Sequence, residues 1–328
     1  MKISFFDTKP YDRIFFDKFV GDYGFEIEYY EEKLNAHTAV FAKGSAVAVA
    51  FVNDTIDKEC IAKLEEYGVG LVAMRCAGFN NVDVNAAAGK VKVVRVPAYS
   101  PYAVAEYTMG MLLTINRKLH KAYNRTREYN FNLNGLTGFD LHGKTIGVVG
   151  TGKIGRVFID ICRGFGMNVL AYDLYPVNDA PYEYVSFEHL CRNSDIISLH
   201  CPLTRQTYHM IDELAIGRMK DGVIILNTSR GALIDSEALL EALKEKKIAG
   251  AGLDVYEEEA DFFYEDWSDT VIKDDILARL VNLPNVLVSS HQAFLTEEAL
   301  SNIAETTLSN IKEYADGMPL TNEVTINA

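Results

Sequence analysis

Short apolar runs alternate with stretches of helical periodicity along the whole chain, the pattern of a parallel α/β protein. In the first hundred residues Lys2–Phe6, Ala46–Val52, Leu71–Met74 and Val91–Val96 predict strands, and Asp57–Tyr67 predicts a helix among them. A second series opens at Thr145–Val149 and runs through Val169–Tyr172, Ile196–His200, Val223–Asn227, Gly250–Asp254 and Val286–Ser289. Between the two series, Pro97-Ala98-Tyr99-Ser100-Pro101 stiffens the chain, and the stretch from Pro101 to about Tyr129 reads as one long helix. Pro101 suits its start, where a missing N–H costs little. A last helix begins near Thr296, with Glu297 and Glu298 in its first turn, and is expected to return to the first unit. Two doubly wound parallel-sheet domains follow: residues 1–99 with 297–328, and residues 100–296 inserted between them. Crossings near Tyr99 and Thr296 would make a hinge able to close on a substrate.

The second series carries a phosphate-binding fingerprint. Thr145–Val149 feeds into Gly150-Thr151-Gly152-Lys153-Ile154-Gly155, then a helical pattern (Ile154, Val157, Phe158, Ile161), then a strand ending in Asp173. Gly150 permits the tight turn, Gly152 lets the backbone approach a pyrophosphate, and Gly155 lets helix and sheet sit close. The helix N-terminus then faces the anion. Asp173 can accept from ribose hydroxyls and would repel a 2′-phosphate, so the expected cofactor is NAD rather than NADP. The inserted unit is therefore predicted to be a Rossmann NAD domain, and the flanking unit, which lacks such glycines, a flavodoxin-like substrate domain.

Composition narrows the class further. The chain has 328 residues, 48% hydrophobic and 24% charged, enough for two cores of ordinary size. A formal net charge of −14 without a basic run argues against nucleic-acid or anionic-membrane partners. The five cysteines are scattered without metal-type spacing, so they read as reduced thiols of a cytoplasmic protein, and no metal is expected. Neither a secretory signal nor an apolar run long enough to span a bilayer is evident.

Three chemistry-bearing residues stand just beyond strand ends, where open parallel sheets place ligands. Arg230 follows Val223–Asn227 and can offer a rigid fork to a carboxylate; its bland reading is a surface ion pair. Glu259 closes a run of three glutamates and cannot be told by spacing from Glu257 or Glu258, in a run whose default is a solvated loop. His291 follows Val286–Ser289, where a lone histidine is more often structural. His200 reads as structural, and His120, His142, His189 and His209 show no partner pattern. The irregular acidic and aromatic stretch Glu257–Asp275 is either a solvated loop or an active-site border.

Five strings, taken in order, decide more. Arg75-Cys76-Ala77-Gly78-Phe79-Asn80-Asn81-Val82-Asp83, Gly150–Gly155, Asn227-Thr228-Ser229-Arg230-Gly231-Ala232-Leu233, Leu253-Asp254-Val255-Tyr256-Glu257 and His291-Gln292-Ala293-Phe294-Leu295-Thr296 together resemble the D-isomer-specific 2-hydroxyacid dehydrogenases over essentially the whole chain. The resemblance implies Arg230 as substrate-carboxylate anchor, His291 as acid/base, Glu259 as its partner and Asp254 beside the nicotinamide. In the reducing direction hydride passes to the carbonyl carbon while protonated His291 donates to the oxygen, and Glu259 favours the charged ring. It further implies substrate contacts from the backbone at Ala77 and Gly78, with Phe51, Tyr99 and Phe294 walling a pocket little larger than a methyl group needs. Core burial is the equal alternative for Phe51. The small pocket, the segment 261–266 and His291–Phe294 point to the branch acting on pyruvate and D-lactate; hydroxypyruvate or branched 2-oxo acids are the alternative substrates, and an NAD(H)-sensing binding protein the alternative class. By position, Cys201, Pro202, Thr207, Thr228 and Ser229 are further candidates for cofactor contact, beside Lys153 and Ile154. The apolar helix from Pro101 resembles the dimerising element of the family, so a homodimer or homotetramer is expected.

Overall fold

Val47-Ala48-Val49-Ala50 and Leu71-Val72-Ala73-Met74 are buried along their whole length, as central strands covered on both faces must be. The computed structural model describes residues 1–259 and 262–326, so Asp261 of the acidic segment lies outside the described residues. The first sheet contains β1 (Lys2–Phe5), β2 (Glu26–Tyr29), β3 (Val47–Ala50), β4 (Leu71–Met74) and β5 (Lys92–Arg95). All pair in parallel in the order β2-β1-β3-β4-β5, the flavodoxin-like arrangement. Its core joins Ile3, Phe5, Val47, Val49, Leu71 and Val94 to Ala304, Leu308 and Ile311. Those last three lie on the helix Glu297–Ala315, which starts at a Thr296 cap. Each of the valine, leucine, isoleucine and phenylalanine side chains among them contributes about 1.5–3 kcal/mol on full burial.

The second sheet contains β6 (Thr145–Val149), β7 (Asn168–Tyr172), β8 (Glu183–Tyr184), β9 (Ile196–Leu199), β10 (Val223–Asn227), β11 (Ile248–Leu253) and β12 (Val286–Val288). These strands are parallel in the order β12-β11-β10-β9-β6-β7-β8. This is the doubly wound Rossmann order with an added strand, and it reverses between β6 and β9, where a ligand crevice opens. The chain divides into two compact units, Met1–Ser100 with the chain from Leu295 onward, and Pro101–Phe294. The second is thus inserted into the first.

Three local features differ from the sequence reading. The edge strand β2, Glu-Ile-Glu-Tyr, has no fully buried position, so charge masks its pattern. β8 has two residues, too few for any periodicity. The long helix after Pro101 is two helices, Pro101–Arg117 and Leu119–Arg127, separated by Lys118 at φ 52, a left-handed conformation that ends an α-helix. At the break the Asn116 side chain bonds both the carbonyl (2.7 Å) and the N–H (2.9 Å) of Phe139, and the Lys118 ammonium donates to the Thr137 carbonyl. A returning loop therefore takes the place of the helix's next turn. Among the described residues no helix is long and apolar enough to cross a membrane, and no group of three or more His, Cys, Asp or Glu is placed to hold a metal ion.

Candidate active site

The glycine turn after β6 is shaped by contacts that only glycine allows. Gly150 has φ 94, and a Cβ there would sit 2.6 Å from the backbone of His200 and Cys201. A Cβ on Gly155 would lie 2.1 Å from the Gly150 carbonyl oxygen, whereas Gly152 faces open space. These contacts press the helix Lys153–Gly164 onto the turn and leave the turn's outer side clear for a ligand. Lys153 is exposed there, and Ile154 is half-buried against the core beneath.

A cavity of about 230 Å³ opens at this point, lined among others by Gly150, Gly152, Asp173, Cys201, Pro202 and Thr207. The Asp173 carboxylate accepts from the N–H (2.6 Å) and hydroxyl (2.9 Å) of Thr151 and from the Tyr175 N–H (2.8 Å). Partial burial would raise its pKa, but these donors outweigh it and hold the carboxyl below its usual range, so Asp173 stays an anion. The Thr207 hydroxyl staples the cavity's far loop by donating to Pro202 O at 2.7 Å. His200, also in the lining, bonds Ser198 at 2.8 Å and lies against Phe158; burial pushes it down to about 3, which keeps it neutral. A glycine-floored groove ending in a fixed carboxylate fits the adenosine and pyrophosphate of a dinucleotide.

Thr228 and Ser229 do not line this cavity. The Thr228 hydroxyl bonds Thr108 at 2.8 Å, and the Ser229 hydroxyl donates to Cys201 O at 2.7 Å. Together with Asn227, whose amide donates to Arg230 O at 2.8 Å, they fix the loop that presents Arg230. The Arg230 Nη1 donates to Ser229 O at 2.7 Å, and among the described residues no carboxylate lies within ion-pairing distance of it.

One glutamate of the three meets His291. Glu259 Oε1 lies 2.8 Å from His291 Nδ1, and its Oε2 accepts from the Tyr256 N–H at 2.9 Å. Glu257 turns the other way, 2.5 Å from His209 Nε2 and 3.1 Å from the Ser236 hydroxyl, while Glu258 is exposed. His291 stands at φ 52, with its N–H bonded to Asp254 O at 2.7 Å and the Tyr264 hydroxyl bonded to its carbonyl at 3.0 Å. The Nε2 atom has no hydrogen-bond partner among the described residues. An imidazole held from Nδ1 by a carboxylate, with Nε2 open, is arranged to exchange a proton at Nε2.

Asp254 sits under this loop and is fully buried. Both of its oxygens are taken, Oδ1 by Ser289 Oγ (2.7 Å) and the Gln292 N–H (2.9 Å), Oδ2 by the Ala293 N–H (2.9 Å). Burial raises its pKa despite these donors. Its carboxyl group therefore ties β11 to the segment carrying His291 and the buried Phe294. His209, which shows no partner pattern in the sequence, meets Glu257, and neither Tyr264 nor Gly231 had a role of its own there. A Cβ on Gly231 would fall 2.0 Å from the Tyr256 carbonyl carbon, a close approach that sets the Arg230 loop against the start of the Glu257–Glu259 turn.

In the first unit Phe51 is buried, with the Arg75 guanidinium 3.9 Å from its ring centroid. Tyr99, Ala77 and Gly78 are half-buried.

Residues 109–293 match the D-isomer specific 2-hydroxyacid dehydrogenase, NAD binding domain. The chain is 50% identical to the D-lactate dehydrogenase of Escherichia coli over 99% of its length and all of that protein. The solved apo-structure of that enzyme superposes with a TM-score of 0.91, covering 99% of this chain and 100% of that one at 48% identity. The pyruvate reductase of Chlamydomonas reinhardtii gives 0.93 at 42% identity, covering 98% of both chains. The NAD-complexed D-isomer specific 2-hydroxyacid dehydrogenase of Lactobacillus delbrueckii ssp. bulgaricus gives 0.83 at 29% identity, covering 99% of this chain and 100% of that one.

Proposed function

The chain belongs to the D-isomer-specific 2-hydroxyacid dehydrogenases, NAD-dependent oxidoreductases, and from that premise we propose that it reduces pyruvate reversibly to D-lactate. The observation that carries the residue roles is the His291–Glu259 pair at 2.8 Å, in the same unit as Arg230; among the described residues nothing bonds His291 Nε2 and no carboxylate pairs with Arg230. NADH, when bound, supplies the hydride. Protonated His291 gives its Nε2 proton to the carbonyl oxygen as negative charge develops there, and Glu259, fixed by the Tyr256 N–H, keeps the ring oriented and offsets its charge. Arg230 anchors the substrate carboxylate, and its fork restrains both position and tilt. In the first unit, the open backbone N–H groups of Ala77 and Gly78 suit a carboxylate. Gly150, Gly152 and Gly155 admit the pyrophosphate, and Asp173 takes the ribose hydroxyls. Thr228, Ser229 and Asp254 act by holding the loops that carry Arg230 and His291. The preference for pyruvate is supported by the E. coli relative and by the named activity of the C. reinhardtii protein.

The deciding experiment is steady-state oxidation of NADH, with NADPH in parallel, using pyruvate, hydroxypyruvate and 2-oxoisocaproate, followed by chiral analysis of the product. Fast NADH-dependent conversion of pyruvate to D-lactate is expected. Preference for a larger acid would overturn the pocket assignment and leave His291 and Arg230 in their roles. Binding of NADH without turnover would favour an NAD(H)-sensing protein.

A homodimer, or a tetramer built from it, is also proposed. Tyr123, Tyr129, Phe131 and Leu133 are exposed on the helix Leu119–Arg127 and the segment after it, and a second copy of the chain is the occupant that would bury them. Light scattering should give at least twice the monomer mass, and Phe131→Ser with Leu133→Ser should give the monomer; a monomeric wild type would rule this out. The burial of all five cysteines as thiols supports a cytoplasmic location.

A further inference from the structure

Beyond the C-terminal ends of β1 and β4 in the first sheet lies a buried charged cluster that the proposed reaction does not use. Arg75, straight after β4, is 2% exposed. Its Nη1 is 3.2 Å from Asp12 Oδ1, and its Nη2 is 3.9 Å from Asp7 Oδ2 and donates to the Asp7 carbonyl at 2.6 Å. Its planar group lies 3.9 Å from the Phe51 ring centroid and 5.2 Å from that of Phe5. Asp7, two residues beyond β1, is held at φ 48, a conformation disfavoured for residues with a Cβ. Behind Phe51, Asp54 accepts from the N–H groups of Phe51 and Leu34 at 2.6 Å each.

Stability alone does not account for such a cluster. Replacing a buried ion pair by well-fitted apolar groups is often neutral or stabilising, because desolvation offsets the attraction. What the cluster does provide is a fixed geometry at the ends of β1, β3 and β4, where the strand order reverses and open sheets bind ligands. The carbonyls of the segment it leads into are tied back. Cys76 O accepts from the Val96 N–H at 3.1 Å, Ala77 O from Arg95 Nη1 at 3.0 Å, and Gly78 O from Cys76 Sγ at 3.2 Å. Among the described residues the N–H groups of Ala77 and Gly78 donate to nothing. Carbonyls tied back and successive N–H groups left open suit an anion.

We propose that Arg75, braced by Asp7 and Asp12, is a positioning residue for substrate. It holds the Ala77 and Gly78 donors in register for the carboxylate, and its flat face fixes the Phe51 ring, which limits the side chain that a substrate can carry. The inference rests on the 2-oxo acid reductase reading above and adds to it the group that sets substrate affinity and size.

Two variants of the full-length protein test this. Arg75→Met with Asp12→Asn removes a cation and an anion together, and Arg75→Lys keeps the charge but loses the planar fork. Each is assayed with pyruvate and 2-oxoisocaproate at saturating NADH, beside NADH binding by fluorescence. In both, KM for pyruvate should rise by about 10-fold or more with kcat changing far less, as expected when an interaction shared by ground and transition states is lost. NADH affinity should hold, and the kcat/KM ratio of pyruvate to 2-oxoisocaproate should fall. An unchanged KM in a folded, NADH-binding variant overturns the proposal, as does a parallel loss of NADH affinity, which marks a general structural role. If the double variant does not fold, Arg75→Lys decides by the same criteria. A wild type that accepts only the larger acid overturns the pyruvate reading, and the Arg75 test is then read from KM for that acid; a wild type that turns over neither overturns both.

Discussion

His291→Asn is expected to lower kcat for pyruvate reduction by roughly 10²–10⁴-fold, the range over which a positioned acid or base contributes. NADH affinity and thermal stability should change little. Asparagine is the right replacement because His291 sits at φ 52, a conformation that Asn tolerates better than most residues. The backbone bond from His291 N–H to Asp254 O at 2.7 Å and the Tyr264 bond to its carbonyl can then persist, so the variant removes the proton donor without unfastening its loop. Glu259→Gln is the graded companion. An amide oxygen can still accept from Nδ1, but the negative charge that offsets the imidazolium is gone, so a smaller loss of about 10-fold or more in kcat is expected. Turnover by His291→Asn within a few-fold of wild type would remove His291 from the proton transfer. A larger loss from Glu259→Gln than from His291→Asn would reverse the assignment of donor and support.

Gly231→Ala is expected to be the most damaging one-carbon addition near the site. The new Cβ would stand 2.0 Å from the Tyr256 carbonyl carbon, 2.1 Å from its oxygen and 2.3 Å from the Glu257 nitrogen. All three are backbone atoms of the segment leading to Glu259, so no side chain can rotate away, and one loop or the other must move. Overfilling of this kind costs about 1–3 kcal/mol. Its functional effect should be larger, because Arg230 precedes Gly231 and the Tyr256 N–H holds Glu259, and a shift of about 1 Å in a positioned group can cost 10²-fold in rate. Gly217→Ala is the control. It lies in the helix Glu213–Arg218, and a Cβ there meets nothing within 4 Å. Thermal melts and kcat/KM should separate the two variants; equal behaviour would mean that the contact between the loops is not needed.

Strand positions and the glycine fingerprint were legible in the sequence because they rest on short-range physics. Val47–Ala50 and Ile196–Leu199 stand out because burial on both faces demands continuous apolar runs, and Gly150–Gly155 because a turn followed by a phosphate-accepting helix admits few other residue types. Asp173 was legible for the same reason, as the residue closing the next strand. Where side chains do not record their surroundings, local pattern failed. The alternation of charge and bulk in Glu26–Tyr29 suits an edge strand, but it equally suits a loop. The helix from Pro101 keeps its periodicity through Lys118, and what ends it there is a loop held by Asn116, some twenty residues away along the chain.

The site divides in the same way. Two parallel α/β units, the nucleotide turn with its acidic strand end, and the placing of Arg230, the glutamate run and His291 beyond strand ends could all be read along the chain. Spacing alone could not tell Glu259 from its neighbours, and it is the fold that turns Glu259 to His291 and Glu257 to His209, pairs separated by 32 and 48 positions. It also decided that Thr228, Ser229 and Asp254 spend their polar atoms holding loops, and that Arg75 is buried between two aspartates and Phe51. The physical reason is range. Backbone periodicity and turn geometry are set by neighbours a few residues apart, whereas a charge finds its partner only after the strands have fixed which loops emerge side by side.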